Sequence, residues 1–138
     1  HPALSQSFFD SNVVLYLLSG DAAKADRAEA LLEAGGVISV QVLNEVTSVC
    51  RRKLKMPWTE IDALLLAVKT ACEVVPLTVA SHEKAVEIVK RLQLSMYDAH
   101  IVATALLCGA EVLFTEDMQS GMRIDGLTLQ NPFLSDQP

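Results

Sequence analysis

Cations are scarce in this chain: its 138 residues carry 11 Lys plus Arg against 17 Asp plus Glu, a formal net charge of −6. A domain that grips a phosphate backbone by charge alone needs a surplus of Lys and Arg, so the deficit argues against that class of nucleic-acid clamp. Aromatic residues make up only 5%, and the three cysteines, Cys50, Cys72 and Cys108, are widely spaced within apolar helical patterns. They read as buried free thiols in a reducing compartment, because no Cys-x-x-Cys pair or Cys/His cluster with zinc spacing is present. Long apolar runs are missing too. Stretches such as residues 63–68 fall far short of the roughly 18 residues of a membrane span, so no bilayer-spanning helix is expected. The start shows no basic-then-apolar leader, and His1-Pro2 reads as a trimming remnant, so a cytoplasmic location is expected.

What is abundant is apolar side chain, 51% of the residues, enough for one good core without a metal or disulfide to hold it. No linker, repeat or low-complexity stretch divides the chain. It is expected to form a single domain over 1–138, with residues 1–6 as a terminal extension and 134–138 as a tail. Short apolar runs at 7–10, 37–40, 73–77, 112–115 and 127–130 lack polar alternation, as suits strands of a parallel sheet covered on both faces. Between them, residues 13–18, 22–33, 42–55, 59–72, 81–92 and 97–108 have helical period. Ile61, Leu64, Leu65, Val68 and Cys72 form one apolar stripe; Ala85, Ile88, Val89 and Leu92 form another. Thr59 and Asp62 have capping-box spacing, and Gly35-Gly36 and Gly109 punctuate helix ends. The expected fold is a three-layer α/β/α, Rossmann-like domain with a mainly parallel sheet of four to five strands.

Four carboxylates fall at element boundaries. Asp10 closes the first strand, Glu45 lies in the first turn of the helix after the second, Asp98 opens the sixth helix and Asp117 follows the fourth strand. In a parallel sheet these positions share one edge, where open α/β sheets bind their ligands. Glu45 shares a helix face with Val42 and Val49, and Asp98 with Ile101, Val102 and Ala105, so both sit on stripes that point inward. Each acid alone is explained as a helix cap or a dipole partner, as in the pair Ser95 and Asp98. Convergence of all four on one edge is not. At roughly 5 Å and an effective dielectric of about 20, each like-charge pair repels by about 3 kcal/mol, so the set needs a divalent cation or takes up protons. Oxygen-only ligands favour Mg²⁺ or Mn²⁺ over zinc, as one ion or two, which would activate a water and neutralise a phosphodiester.

Four blocks carry a resemblance: Phe8-Phe9-Asp10-Ser11-Asn12-Val13-Val14-Leu15-Tyr16; Ser39-Val40-Gln41-Val42-Leu43-Asn44-Glu45-Val46; Leu94 through Ala105 around Asp98; and Leu113 through Gly121 around Asp117. Together, in this order over about residues 8–133, they resemble a PIN domain. The resemblance implies a Mg²⁺- or Mn²⁺-dependent nuclease acting on RNA. It further implies a possible place among VapC-type toxins, with an antitoxin as partner and a homodimer as assembly. Carried over by position, Asp10, Asp98 and Asp117 would be metal ligands, directly or through water, and Glu45 would complete the quartet and help position or deprotonate the attacking water. Asn12 and Thr115 match supporting polar positions. Ser11 stands where Thr is common, and the motif places the ligand at Asp117 rather than at its neighbour Glu116.

Arg51, Arg52, Lys53 and Lys55 concentrate cations at the end of the Glu45 helix, where they suit the helix dipole and could also form a phosphate track for RNA. His100, two residues from Asp98, is turned off the acid face and reads as a packing or surface histidine; Trp58 reads as a packing anchor. Two other functions compete. A haloacid-dehalogenase-like phosphatase would also place an Asp after the first strand, but needs an acid where Asn12 stands. A non-catalytic PIN-like binding or assembly module would not need all four acids. Setting the quartet aside leaves a charge deficit of only two, so most of the acidity belongs to the proposed chemistry.

Overall fold

The computed structural model describes residues 6–134. Its first strand, β1 (Ser7–Phe9), is short and apolar because Phe8 and Phe9 are both fully buried, one on each face of the sheet. α1 (Ser11–Leu15) follows at once and tightens into a 3-10 turn over Tyr16–Leu18. Then come α2 (Ala22–Glu33), β2 (Gly36–Ser39), α3 (Val40–Arg52), α4 (Trp58–Ala71), β3 (Cys72–Val75), α5 (Val79–Leu92), α6 (Met96–Leu107), β4 (Val112–Phe114), β5 (Arg123–Ile124) and β6 (Leu127–Gln130). The sheet order is β3-β2-β1-β4-β6-β5, parallel throughout except for β5 against β6. α1 to α4 pack among themselves and α5 pairs with α6, giving helical layers about the sheet, as the apolar pattern predicts. Among the described residues no helix is long and apolar enough to cross a membrane.

Among the described residues the sheet has six strands rather than four to five. β5 is too short to show periodicity, but Asp125-Gly126 between Ile124 and Leu127 forms the tight turn of a hairpin, with φ of 50° and 92°. That dipeptide between apolar residues is a strong hairpin signal. Helix starts also differ. α1 begins at Ser11, not Val13, because the Asp10 side chain accepts from the Ser11 amide and caps it. α3 begins at Val40, which the sequence assigns to a strand, because Ser39 caps it through the Val42 amide. Glu45 therefore lies on the second turn, not the first. α4 begins at Trp58 behind Pro57, whose carbonyl accepts from Glu60 and Ile61, so Thr59 is already inside the helix and no Thr59/Asp62 capping box forms.

Gly35, at φ 89°, ends α2 as expected, but Gly36 does something else. It opens β2 where a Cβ would come within 2.6 Å of the Ser7 carbonyl oxygen and 2.5 Å of the Phe9 ring, so only glycine lets β2 lie against β1. Cys50 and Cys72 are buried, whereas Cys108 is half-buried near the end of α6. All three are free thiols. Gln6 is tied in, accepting from the Glu111 amide at 3.0 Å. Residues 1–5 and 135–138, the bulk of the expected extension and tail, lie outside the described residues.

Candidate active site at the carboxyl edge of the sheet

Strand order reverses between β1 and β4, from which the chain runs outward in both directions. Such a switch point opens a crevice at the carboxyl ends of the strands. Asp10 leaves β1 there, and its amide donates to the Phe114 carbonyl at 3.0 Å, which keeps the two strand ends in step. Its carboxylate is fully buried. Oδ1 accepts from the Ser11 amide at 2.7 Å, and Oδ2 accepts from the Thr115 hydroxyl at 2.8 Å across 105 positions of sequence. Burial nonetheless pushes its pKa up to about 6, against the pull of those two bonds, and the charges of Asp117 and Asp98 push the same way.

Asp98 lies in the first turn of α6, where its amide donates to the Ser95 hydroxyl at 3.0 Å. Its carboxyl is raised by partial burial and by Asp117. Asp117 is exposed just past β4, its amide donating to Thr115 Oγ1 at 3.1 Å. Thr115 thus holds Asp10 with its proton and the Asp117 backbone with its oxygen. Glu45 is half-buried on α3, and its charge acts with that of Asp10 on the Tyr97 phenol between them, although burial is the main cause of that phenol's rise to about 12. The structure therefore draws the three aspartates into one electrostatic neighbourhood and sets Glu45 beside it. Asn12 faces the same edge, its Oδ1 accepting from the Glu116 amide at 3.2 Å.

The donor set is hard oxygen. Among the described residues no ion pair forms to Asp10, Glu45, Asp98 or Asp117, so their charge is left to be relieved by protonation or by a bound cation. Their chemistry fits Mg²⁺ or Mn²⁺. The acids ring an open edge rather than a finished cage, since among the described residues no three or more His, Cys, Asp or Glu side chains cluster tightly enough to form one.

Several partners escaped the sequence reading. Ser11 is buried, its hydroxyl 3.3 Å from that of Tyr97. Tyr16 donates to Glu116; it lies four residues after Asn12, a spacing that puts the two on one helical face and could have found it. A cleft of about 310 Å³ adjoins the acids, lined by Leu15, Tyr16, Val49 and Leu54 together with Asn12 and Glu116. His100 bonds Ser81 at 2.8 Å, away from the acids. The basic run is exposed at the end of α3. Arg51 donates to the Met56 carbonyl at 3.0 Å and stacks on Trp58, 5.0 Å from the ring centre. Trp58 is 48% exposed, so it is a partner for that guanidinium rather than a buried anchor.

A family model described as the PIN domain matches residues 7–120. Among solved structures, a toxin–antitoxin complex from Klebsiella pneumoniae superposes with a TM-score of 0.72 at 24% identity, covering 93% of this chain and 98% of that one. The sarcin–ricin-loop-cleaving toxin VapC20 of Mycobacterium tuberculosis follows with a TM-score of 0.66 and 21% identity, covering 81% and 92%. VapBC2 from Rickettsia felis, bound to a DNA fragment from its promoter, has a TM-score of 0.67 and 20% identity, covering 91% and 97%. No relative among curated proteins matches the sequence.

Proposed function

The chain belongs to the PIN-domain family, and from its acid edge we propose that it is a metal-dependent endoribonuclease, the toxin of a toxin–antitoxin pair. One observation carries this reading: four carboxylates lie about the switch point of the sheet and, among the described residues, no cation is paired to any of them. Asp10, Asp98 and Asp117 would hold one or two Mg²⁺ or Mn²⁺ ions, directly or through water, and Glu45 would position or deprotonate the attacking water. Bound there, the metal supplies an activated water and neutralises charge on the scissile phosphodiester. The chain's own part is to fix the oxygens. Ser11 and Thr115 hold Asp10, Thr115 and Asn12 hold the turn that carries Asp117, and the Ser95 cap sets the first turn of Asp98. Attack by such a water, with no part for the ribose 2′-hydroxyl, would leave a 5′ phosphate and a 3′ hydroxyl.

RNA is the substrate supported by the resemblance and by the cleaving toxin among the structural neighbours. An antitoxin partner is supported by the resemblance and by the toxin–antitoxin complex among the structural neighbours, and we extend the reading to a cytoplasmic homodimer. Arg52 supports an RNA track. It lies seven residues after Glu45 on α3, hence on the same face about 10 Å farther along. Arg51, Lys53 and Lys55 would extend that track. Cleavage of mixed RNAs by wild type and Asp98→Asn, with Mg²⁺ and with EDTA, tests the proposal. Cleavage is expected only for wild type with metal; equal activity in both proteins, or survival in EDTA, overturns it.

A further inference from the structure

The turn after β4 is a run of three polar residues with three destinations. Thr115 reaches inward to Asp10, and Asp117 stays at the acid edge. Glu116 goes the other way, into the wall of the neighbouring cleft. There the Tyr16 hydroxyl lies 2.8 and 2.6 Å from its two carboxylate oxygens. Lys24 Nζ is 4.0 Å from the same carboxylate and sits over the Tyr16 ring, 4.9 Å from its centre. Phe133 lies against the same ring, with centroids 4.3 Å apart. The 3-10 turn after α1, α2, the β4 turn and the segment after β6 thus meet at one tyrosine. The Lys24 ion pair is long and partly exposed, so it contributes little alone. The hydroxyl-to-carboxylate bond is short, directional and charge-assisted.

We infer that Tyr16 is a positioning residue for Asp117. By holding Glu116 against α2, it makes the turn present one of its two adjacent carboxylates to the acid edge, and it fixes the backbone that Asp117 leaves from. With that anchor released, the turn would lose its fixed place and the hold of Thr115 on the Asp117 amide would slacken. The inference rests on the metal reading above. Its chemistry is that of outer partners, whose loss weakens metal binding by about tenfold or more.

Mn²⁺ titration followed by electron paramagnetic resonance, with melting temperatures beside it, tests the inference. Tyr16→Phe keeps the ring between Lys24 and Phe133 and removes only the hydroxyl, so Mn²⁺ affinity should fall about tenfold. Glu116→Ala removes the acceptor and should reproduce that loss with Tyr16 intact. Glu116→Gln keeps an oxygen for the Tyr16 hydroxyl but not the charge, and should lose less Mn²⁺ affinity than Glu116→Ala. Wild-type affinity in both Tyr16→Phe and Glu116→Ala overturns the inference and leaves the metal reading standing. An equal loss in Glu116→Gln overturns it too, since the charge rather than the bond would then matter. A wild-type protein that binds no Mn²⁺ overturns the metal reading and this inference with it.

Discussion

Asp10 and Asp117 border the same crevice but belong to different kinds of surroundings. Asp10 is part of a buried wall, gripped from its own helix by Ser11 and from the far end of the chain by Thr115. Asp117, Asp98 and Glu45 form a rim, each half-buried or exposed and held through its backbone or its helix rather than through its carboxylate. The wall needs long-range structure before it exists at all; the rim needs only local turns and caps. It follows that the wall concentrates the electrostatic strain and the rim supplies adaptable ligands.

The largest effect is expected where the wall is neutralised. Asp10→Asn should lower metal-dependent RNA cleavage by about a hundredfold or more, since it removes a charged ligand. The same change should stabilise the metal-free protein at pH 7.5 by about 2 kcal/mol, because it removes a charge that burial disfavours. The sign follows from linkage. A carboxyl raised in the folded state from 3.8 to about 6 contributes stability below pH 3.8, and loses it as pH rises through about 6. Denaturant unfolding should therefore show the gap between Asp10→Asn and wild type opening from pH 4 to pH 7. A gap that stays constant with pH would erase the distinction between wall and rim.

A smaller effect sharpens it. Thr115→Val removes the hydroxyl that donates to Asp10, which should lower stability by about 1.5 kcal/mol at pH 8 and push the Asp10 carboxyl still higher, weakening Mn²⁺ binding at pH 6 more than at pH 8. Calorimetric titration at the two pH values reads this directly. Outside both regions, replacing Arg51, Arg52, Lys53 and Lys55 together with Ala should change stability by no more than about 0.5 kcal/mol. RNA affinity should lose about 0.7 of its logarithmic salt slope for each phosphate contact removed. An unchanged slope would confine those cations to the helix end.

The acids were legible because they are tied to punctuation: a strand end, a helix stripe, a capping serine. The layer architecture was legible from apolar runs that did not alternate. What the sequence hid depends on partners too distant for periodicity to report. Gly36 looks like a helix terminator, yet it is required by the Phe9 ring of the neighbouring strand. Glu116 looks like a spare ligand until Tyr16, 100 positions earlier, is seen to hold it. Val40 reads as strand by its branching, but the cap at Ser39 decides for helix. β5 was missed because two residues carry no period, although its Asp-Gly turn was in plain view.

The bond from Thr115 to Asp10 spans nearly the whole chain, and that bears on how the protein is made. β1 lies at the centre of the sheet, and its partner β4 is synthesised some hundred residues after it. A nascent chain in which β4 has not yet been made has Asp10 without Thr115 or Asp117. Products cut short before β4 therefore cannot close the wall, and the acid edge cannot assemble until β4 and the turn after it have been made.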